Sequence, residues 1–529
     1  MSQPLQVPHL TTHAPAGMVC SIDHLASSAG VDMLRANGSA VDAAIATSAV
    51  LAVTSQHLCG MGGDLWALVH HGANSPPDTL NASGRAGSGA DADRARAEGL
   101  NELPMQDDIR ATPVPGCVDG WLALHQRHGK LPFGAILAPA IELAENGFPA
   151  SPILVNSVER IRHYPWAADY TEPGPLRPGS RIRRPGVART LKAIASDGRE
   201  GFYQGEFGRG LITLGQGEFT EEDLLASQAD WVDPVTLDAF GHTLWTTPPN
   251  SQGYLSLASA WIADRLDLPT DTTDPLWAHL LVEASRQAGF DRPDVLDDRA
   301  NGMALVAPER LAPRLAAISP DHTSGLASPG QSGDTMYMCA VDRNRMGVSL
   351  IQSNAGGWGS GLAEPSTRIF VHNRGLGFNL RKGHGAEYGP LRRPPHTLAP
   401  ALVTNPDGSL RTVLGTMGGD TQPQIVLQLL ARLLHSNESP GRAIASGRWR
   451  LRSKNPSGFH TWSAPDELIV EVEGHAPDWH TGLADRGHVT QNQPAHDSGF
   501  GHAHLIDVTA DGLAGSADPR ALTGSAAGH

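Results

Sequence analysis

The chain has 529 residues, a formal net charge of −15 at pH 7, and 40% apolar and 18% charged residues. This length and apolar share suffice for a sizeable buried core. The negative charge disfavours a nucleic-acid or anionic-membrane surface, because phosphate groups are bound by clustered Lys and Arg.

The first third of the chain predicts helices and one strand. Residues 22–38 read as a helix that ends at Gly38, and Ser39 is a suitable N-cap for a second, almost entirely apolar helix. A Gly-rich turn then leads into a strand in "HLCGMGGDLWALVHH". Helices are predicted at 118–129 and 133–147, and we expect 160–330 to be helical and loop-rich.

Beyond residue 334 the pattern changes to short alternating strands. One long helix is expected in "QPQIVLQLLARLLHS", and the tail "HAHLIDVTADGLAGSADPR" predicts a strand, a turn and a strand. We interpret the change as a boundary within one packed unit. The predicted strands are 335–342, 347–353, 367–372, 399–404 and 410–415.

The four cysteines, Cys20, Cys59, Cys117 and Cys339, lack metal-ligand spacing and predict buried free thiols in a reducing compartment. The N-terminal segment shows neither the basic nor the apolar region of a secretory signal. The most apolar stretch, 40–53, is too short to span a membrane. We therefore expect a cytoplasmic protein without membrane contact.

Several common motifs are missing from the sequence. It contains no GxxxxGK[ST] loop, no GxGxxG between a strand and a helix, and no GxSxG elbow. The His-rich stretch "HDSGFGHAH" lacks acidic or Cys partners at a defined spacing, which favours surface histidines. We expect no metal and no organic cofactor.

The entry to the hairpin at 332–353 places Thr335 directly after Asp334. An ordinary strand residue after a turn explains this locally. The alternative is that Thr335 is a catalytic nucleophile. A Thr at a chain terminus carries its own base, since an α-amine of pKa near 7.7–8.0 is partly neutral at pH 7. Cleavage before Thr335 would create both groups at once.

Two Gly-Gly turns, Gly62-Gly63 and Gly418-Gly419, have two interpretations. Either could offer backbone N–H groups to a developing oxyanion. Equally, the second could be a tight turn into the helix that follows it.

Six segments in this order resemble the gamma-glutamyltranspeptidase family of N-terminal-nucleophile hydrolases. They are "AVDAAIATSAVLAVTSQHLCGMGGDLWALV", "TPVPGCVDGWLALHQRHGKLPF", "TMYMCAVDRNRMGVSLIQS", "RRPPHTLAPALV", "GTMGGDTQPQIVLQLL" and "GLAGSADPR". The resemblance covers nearly the whole chain. It implies an α+β fold, specifically a four-layer αββα sandwich.

The resemblance also implies a reaction. Thr335 aligns with the family nucleophile, and Asp334-Thr335 with the bond that the protein cleaves in itself. The products would be a large subunit, 1–334, and a small subunit, 335–529, held together as a heterodimer. Ser353 matches the hydroxyl that supports the nucleophile, and Gly418 and Gly419 match the oxyanion donors.

The substrate-binding positions depart from the family pattern. Arg374 stands where the family has Gln, and Gly377 where it has an acid. His396 and Thr397 replace two serines that hold the substrate carboxylate, and we expect Asn354 to contribute to binding as well.

The position of the family's carboxylate-binding Arg falls on Ser83, with Arg85 two residues later. Loss of an acid and gain of an Arg favour a carboxylate over an ammonium group. Alternatively, Arg374 and Arg85 pair with acids elsewhere in the protein.

The sequence thus predicts a gamma-glutamyltranspeptidase-like amide hydrolase or acyltransferase. Its partners would be a small amide substrate and water or an amine acceptor, with higher oligomers left open. An amidohydrolase for small acidic amides such as oxamate, or another acylase, is the first alternative. An uncleaved, non-catalytic family member is the second.

Overall fold

The computed structural model describes residues 10–73, 75–172, 174–324, 336–453, 461–463 and 467–529. Over these ranges the protein mixes helices and strands throughout its length. No helix within them combines the length and apolar composition that a membrane span requires.

The strands of the described residues are numbered β1 to β21. Their bounds are Thr12–Ala14, Met18–Ser21, Asp64–His70, Asp78–Ala82, Phe148–Pro149, Arg181–Ile182, Asp230–Val232, Val235–Ala239, His242–Thr246, Met336–Val341, Gly347–Ser353, Ala363–Glu364, Ile369–Phe370, Ala401–Thr404, Leu410–Thr416, Trp449–Arg452, Ile469–Glu473, Val489–Gln493, Ala503–Thr509, Gly512–Ala517 and Ser525–Gly528.

The α-helices of the same ranges are numbered α1 to α19. Their bounds are His24–Arg35, Ala40–Thr54, Ala92–Ala97, Cys117–His128, Phe133–Asn146, Pro152–Ser157, Ala168–Thr171, Pro185–Asp197, Arg199–Tyr203, Glu206–Gly215, Glu221–Leu225, Tyr254–Asp264, Pro275–Gly289, Arg292–Val295, Gly302–Leu305, Pro308–Ala316, Gln422–Leu430, Pro440–Ala445 and Trp479–Asp485.

Two seven-stranded sheets form the centre of the molecule. The strand order of the first sheet is β21-β2-β10-β11-β3-β4-β7, and that of the second is β1-β20-β19-β15-β14-β9-β8. Each sheet takes strands from before residue 334 and from after it. The two halves of the chain are therefore interleaved within both sheets.

Side chains alternate between the two faces of the first sheet, as a pleated strand requires. Along β3, Trp66 and Leu68 belong to a cluster that also contains Leu402, Val413 and other residues of the second sheet. The intervening residues of β3 belong instead to a cluster with helices α1, α2, α4, α5 and α8. One apolar cluster thus joins the two sheets, and another covers the opposite face of the first.

Helices α12, α13 and α17 cover the other face of the second sheet, where they share a cluster with strands β14, β15 and β19. Helix α2 begins with a capping box between Ser39 and Asp42, and all fifteen of its residues are buried. Its nearly uniform apolar composition follows from this position between the first sheet and other helices.

Most of the predicted elements are confirmed, including the N-cap at Ser39, the hairpin of β10 and β11, and the tail strands. The first helix, however, ends at Arg35, and its C-cap is Ala36 rather than the predicted Gly38. Residues 160–330 are mostly helices and loops, as predicted, but the prediction did not include the short strands in this range. Strands β8 and β9 form an antiparallel hairpin there, and "VTLDAFGHTLW" alternates as a hairpin should. The predicted strand at 367–372 shortens to Ile369–Phe370. All four cysteines are buried and free, as predicted.

Candidate active site

The start of β10, the end of β11 and the start of β3 lie side by side in the first sheet. Strand β10 begins at Met336, so Asp334 and Thr335 lie outside the described residues. Ser353, the last residue of β11, pairs with Asp64, the first residue of β3. The strand pairing therefore brings the predicted supporting hydroxyl beside a buried carboxylate that the sequence analysis did not single out.

The Gly62-Gly63 turn packs against this strand end. A Cβ atom at Gly63 would lie 2.2 Å from the carbonyl oxygen of Ser353 and 2.8 Å from Oδ1 of Asn354. The Nδ2 atom of Asn354 donates to the carbonyl of Gln56, whereas its buried Oδ1 has no hydrogen-bond partner among the described residues. Glycine is needed here for close backbone approach, and Asn354 retains an open acceptor.

Asp64 is the centre of a buried hydrogen-bond network. Its Oδ1 accepts the backbone N–H of Gly84 at 2.8 Å, and its Oδ2 lies 2.9 Å from Nε2 of His396 and 3.3 Å from Nδ1 of His372. The Nδ1 atom of His396 accepts the backbone N–H of Leu398 at 3.2 Å. Both ring nitrogens of His396 therefore already have protein partners.

The protonation of His396 follows from these contacts. Burial lowers its pKa to about 4, against the opposing effect of Asp64, so the ring is neutral at pH 7 and its proton is on Nε2. Burial alone would raise the pKa of Asp64, but the two imidazoles hold it well below its usual range. His396 thus acts as a rigid donor to Asp64, which limits its capacity to bind a substrate oxygen directly.

Arg374 and Thr397 do meet, as the resemblance implies. The Nη1 atom of Arg374 donates to Oγ1 of Thr397 at 3.0 Å, and both side chains are buried. Burial and the nearby Arg292 lower the pKa of Arg374 to about 10, while Asp64 and Asp420 oppose that shift. Arg374 is therefore still a cation at pH 7.

Position 377 has no room for the acid that the family usually carries. A Cβ atom at Gly377 would lie 2.2 Å from the carbonyl oxygen of Pro395. The backbone around position 377 therefore excludes any side chain there. A substitution by Asp or Glu could restore the carboxylate only if the backbone moved.

Arg85 has a different setting from Arg374. Its Nη2 atom lies 2.5 Å from Oδ2 of Asp230, and its Nη1 donates to the carbonyl of Ser227. The buried Arg393 shares that carboxylate at 2.6 Å and also donates to the carbonyl of Ser83 at 2.7 Å. Arg85 is thus engaged in an ion pair, which is the alternative that the sequence left open. Arg393 lies in the segment "RRPPHTLAPALV" but is not among the site residues that the sequence predicts.

The Gly418-Gly419 loop has the geometry of an anion-binding turn. The two residues have φ angles of 133° and 59°, in the region that favours glycine. Neither backbone N–H donates to an acceptor in the part of the chain that the structure describes. Nε2 of Gln252 donates to the carbonyls of Gly419 and Thr397, at 2.9 and 3.1 Å, and so joins this loop to the Arg374 contact.

Asp420 follows this loop and is fully buried. Its carboxylate oxygens form no hydrogen bond of ordinary geometry among the described residues, and Nη2 of Arg292 is 3.7 Å away. Burial raises the pKa of Asp420 to about 7, although Arg292, Arg374 and the Thr461 backbone lower it in part. A second acid therefore lies beside the predicted oxyanion loop in an environment unlike that of Asp64.

The described ranges contain no group of three or more His, Cys, Asp or Glu residues placed to hold a metal ion. The chemistry that these ranges support rests on backbone N–H groups, a buried guanidinium and buried carboxylates. Such a set suits acyl transfer, in which negative charge develops on an oxygen.

Comparisons with known proteins agree with this geometry. The chain is 34% identical to the "Glutathione hydrolase-like YwrD proenzyme" of Bacillus subtilis, covering 95% of this chain and 97% of the relative. It is also 34% identical to the "Oxamate amidohydrolase proenzyme" of Klebsiella pneumoniae, covering 98% and 99%. The crystal structure of a cephalosporin acylase from Bacillus halodurans superposes with a TM-score of 0.88 at 30% identity, covering 100% and 98%. The gamma-glutamyltranspeptidase family model matches residues 26–528, and the chain belongs to that family.

Proposed function

We propose that the protein is a self-processing amide hydrolase or acyltransferase that works through an acyl ester on Thr335. Self-processing would cut the Asp334–Thr335 bond and leave subunits 1–334 and 335–529 associated. The interleaving of both halves in each sheet supports a heterodimer that stays together after the cut. The relatives named as proenzymes support the same step.

The reaction would use the terminal residue as both nucleophile and base. The α-amine of Thr335 takes the hydroxyl proton while Oγ bonds to the amide carbon. The C–N bond then breaks, and the leaving amine departs with a proton. Water or an acceptor amine next attacks the ester, which releases the acyl group and regenerates the hydroxyl. We assign Ser353 to supporting this hydroxyl.

One observation carries the proposal: the paired N–H groups of Gly418 and Gly419 in a left-handed turn beside the substrate-binding residues. Both tetrahedral intermediates place negative charge on the former carbonyl oxygen. Two fixed donors without other acceptors are suited to that charge, and loss of a single such donor typically lowers kcat by about 100- to 1000-fold.

The substrate would carry a carboxylate close to the amide. Arg374 is a buried cation held by Thr397, and charge-assisted pairing with a carboxylate is its natural role. Gly377 leaves no acid at the position that otherwise receives an ammonium group. These features favour a small acidic amide, the class to which the substrate of the oxamate amidohydrolase relative belongs.

A gamma-glutamyl amide is the second candidate. The open Oδ1 acceptor of Asn354 could receive an N–H group of such a substrate. The family match and the glutathione hydrolase-like relative support this alternative.

We further propose that the two sheets and their helices form the four-layer αββα sandwich of N-terminal-nucleophile hydrolases. The support is the order of the apolar clusters: one between the sheets and one on each outer face. The cytoplasmic location expected from the sequence remains a prediction.

Intact mass under denaturing conditions tests self-processing. Residues 1–334 of a 55.8-kDa chain correspond by proportion to roughly 35 kDa, which leaves roughly 21 kDa. We expect both pieces from the wild type and one full-length chain from Thr335→Ala. A single full-length chain from both proteins would favour the non-catalytic alternative instead.

Turnover of three compounds then separates the substrate classes. They are gamma-glutamyl-p-nitroanilide, glutaryl-p-nitroanilide, which lacks the α-amine, and oxamate. We expect the amine-free compounds to be preferred. Rapid turnover of the gamma-glutamyl compound alone would favour the second candidate. If none of the amides acylates the protein, the proposed reaction is wrong.

A further inference from the structure

The direction of an oxyanion donor depends on the carbonyl of the same peptide group. In a trans peptide, the N–H of one residue points away from the C=O of the residue before it. The N–H of Gly418 is therefore aimed by the carbonyl of Met417, and the N–H of Gly419 by the carbonyl of Gly418. Any group that fixes these two carbonyls also fixes the two donors.

Two threonine hydroxyls hold these carbonyls. Oγ1 of Thr416 donates to the carbonyl of Met417 at 2.8 Å. Oγ1 of Thr421 donates to the carbonyl of Gly418 at 2.6 Å, and the backbone N–H of Thr421 supplements it at 3.1 Å. Both side chains are buried.

The surroundings leave little freedom for either peptide group. A Cβ atom at Gly418 would lie 2.4 Å from Oγ1 of Thr421, so the hydroxyl packs directly against the donor residue. A Cβ atom at Gly501 would lie 2.5 Å from both the Met417 carbonyl and Oγ1 of Thr416. The two hydroxyls are thus packed into the turn as well as hydrogen-bonded to it.

We propose that Thr416 and Thr421 are positioning residues, each of which aims one oxyanion-donating peptide by holding its carbonyl. The inference rests on the proposed acyl-transfer function. A flexible glycine pair would otherwise sample several peptide orientations, because glycine has the widest range of backbone angles. Fixed orientation matters here since preorganised donors need no rearrangement at the moment when charge develops.

An ordinary structural role would predict a different outcome. A hydroxyl that merely stabilises the fold affects the melting temperature and leaves kcat of the folded enzyme unchanged. A hydroxyl that aims an oxyanion donor changes kcat, while substrate affinity, which depends on Arg374 and its neighbours, stays the same. The ratio of effects on kcat and KM therefore distinguishes the two roles.

The test compares Thr→Val with Thr→Ser at both positions. Valine keeps the shape and loses the hydroxyl, whereas serine restores it. The substrate is whichever of the three compounds named above the wild type hydrolyses fastest. We expect kcat to fall about tenfold in Thr421→Val and in Thr416→Val, which is less than the loss expected when an oxyanion donor is removed altogether. KM should change less than about twofold, and the serine variants should recover most of kcat.

Thr412→Val provides a matched control. Thr412 lies on β15, as Thr416 does, and is equally buried. Its hydroxyl donates to the carbonyl of Ile506 at 2.9 Å, away from the Gly418-Gly419 turn. We expect a lower melting temperature with unchanged kcat. If this control loses as much kcat as the two other valine variants, the positioning role is wrong.

Crystal structures of Thr421→Val provide the second readout. This variant keeps the backbone bond to the Gly418 carbonyl and should fold, yet the peptide between residues 418 and 419 should rotate. An unchanged peptide together with unchanged kcat would overturn the inference. If the wild type turns over no compound in the panel, the proposed function fails, and the peptide orientation alone then decides whether the hydroxyls aim the donors.

Discussion

Nε2 of His396 lies 2.9 Å from Oδ2 of Asp64, and this contact ties the start of β3 to the segment that carries Thr397. The same carboxylate lies opposite Ser353 in the strand pairing. One buried acid therefore connects the predicted nucleophile support to the predicted substrate-binding segment.

Asp64→Asn should weaken this connection. Because the carboxylate accepts a backbone N–H and faces two imidazoles, we expect the free energy of unfolding at pH 7 to fall by about 3 kcal/mol. The depressed pKa of Asp64 means that its stabilisation is present above pH 4 and is lost as the pH falls further. Denaturant unfolding at pH 7 and pH 3 measures the difference from wild type, which should shrink at pH 3. Asp511→Asn, in an exposed turn, should show no difference at either pH.

Arg374→Gln and Arg85→Gln should separate the two arginines. Removal of the Arg374 guanidinium takes away the buried cation next to Thr397, so we expect KM for an amine-free acidic amide to rise at least about tenfold. Arg85 is already paired with Asp230, and its loss should alter KM less than about threefold. Steady-state kinetics on purified, folded variants provide the measurement. Equal effects at both positions would mean that Arg374, too, is a structural partner only.

Gly377→Asp should fail to restore an ammonium site. The new Cβ would lie 2.2 Å from the Pro395 carbonyl, so the backbone must shift. We expect a lower melting temperature and no gain in turnover of gamma-glutamyl-p-nitroanilide. Gly134→Ala, whose Cβ would meet only a carbon 3.9 Å away, is the matched control and should fold normally. A stable, gamma-glutamyl-active Gly377→Asp enzyme would contradict the interpretation of this position.

The sequence predicts much of the fold because helices and hairpins follow local patterns. The N-cap residue Ser39 and the alternation in β10 and β11 are local signals, and both predictions are confirmed. The hairpin of β8 and β9 carries the same alternation and was missed beside helical neighbours. In both sheets, strands from before residue 334 pair with strands from after it. These pairings join residues far apart in the chain, and no local pattern specifies them.

The candidate site was predictable only in part. Arg374 and Thr397 were found through the family motifs, and the structure brings them together. Gly62-Gly63 and Gly418-Gly419 are each followed by an acid, Asp64 and Asp420, so the repeated "GGD" marks both acids in the sequence. Only the tertiary structure shows that the first acid faces two imidazoles, whereas the second is fully buried with Nη2 of Arg292 at 3.7 Å.

That difference predicts opposite pH behaviour for the two acids. The folded pKa of Asp420 is about 7, well above its value of 3.8 in an exposed setting, because burial disfavours the charged form. The folded state therefore holds this proton more tightly than the unfolded state. Its contribution to stability is complete below pH 4 and is lost as the pH rises through 7.

Asp420→Asn removes this ionisable group. The variant should therefore not lose the stability that the wild type loses when the buried Asp420 carboxyl ionises. Relative to wild type, the variant should gain stability as the pH rises from 5 to 8, by at most on the order of 4 kcal/mol for a shift of about three pKa units. Thermal or denaturant unfolding across that range measures the gain, with the exposed Asp511→Asn as the flat reference. If the stability difference stays constant with pH, Asp420 is ionised throughout, and the two arginines near it neutralise the carboxylate despite its burial.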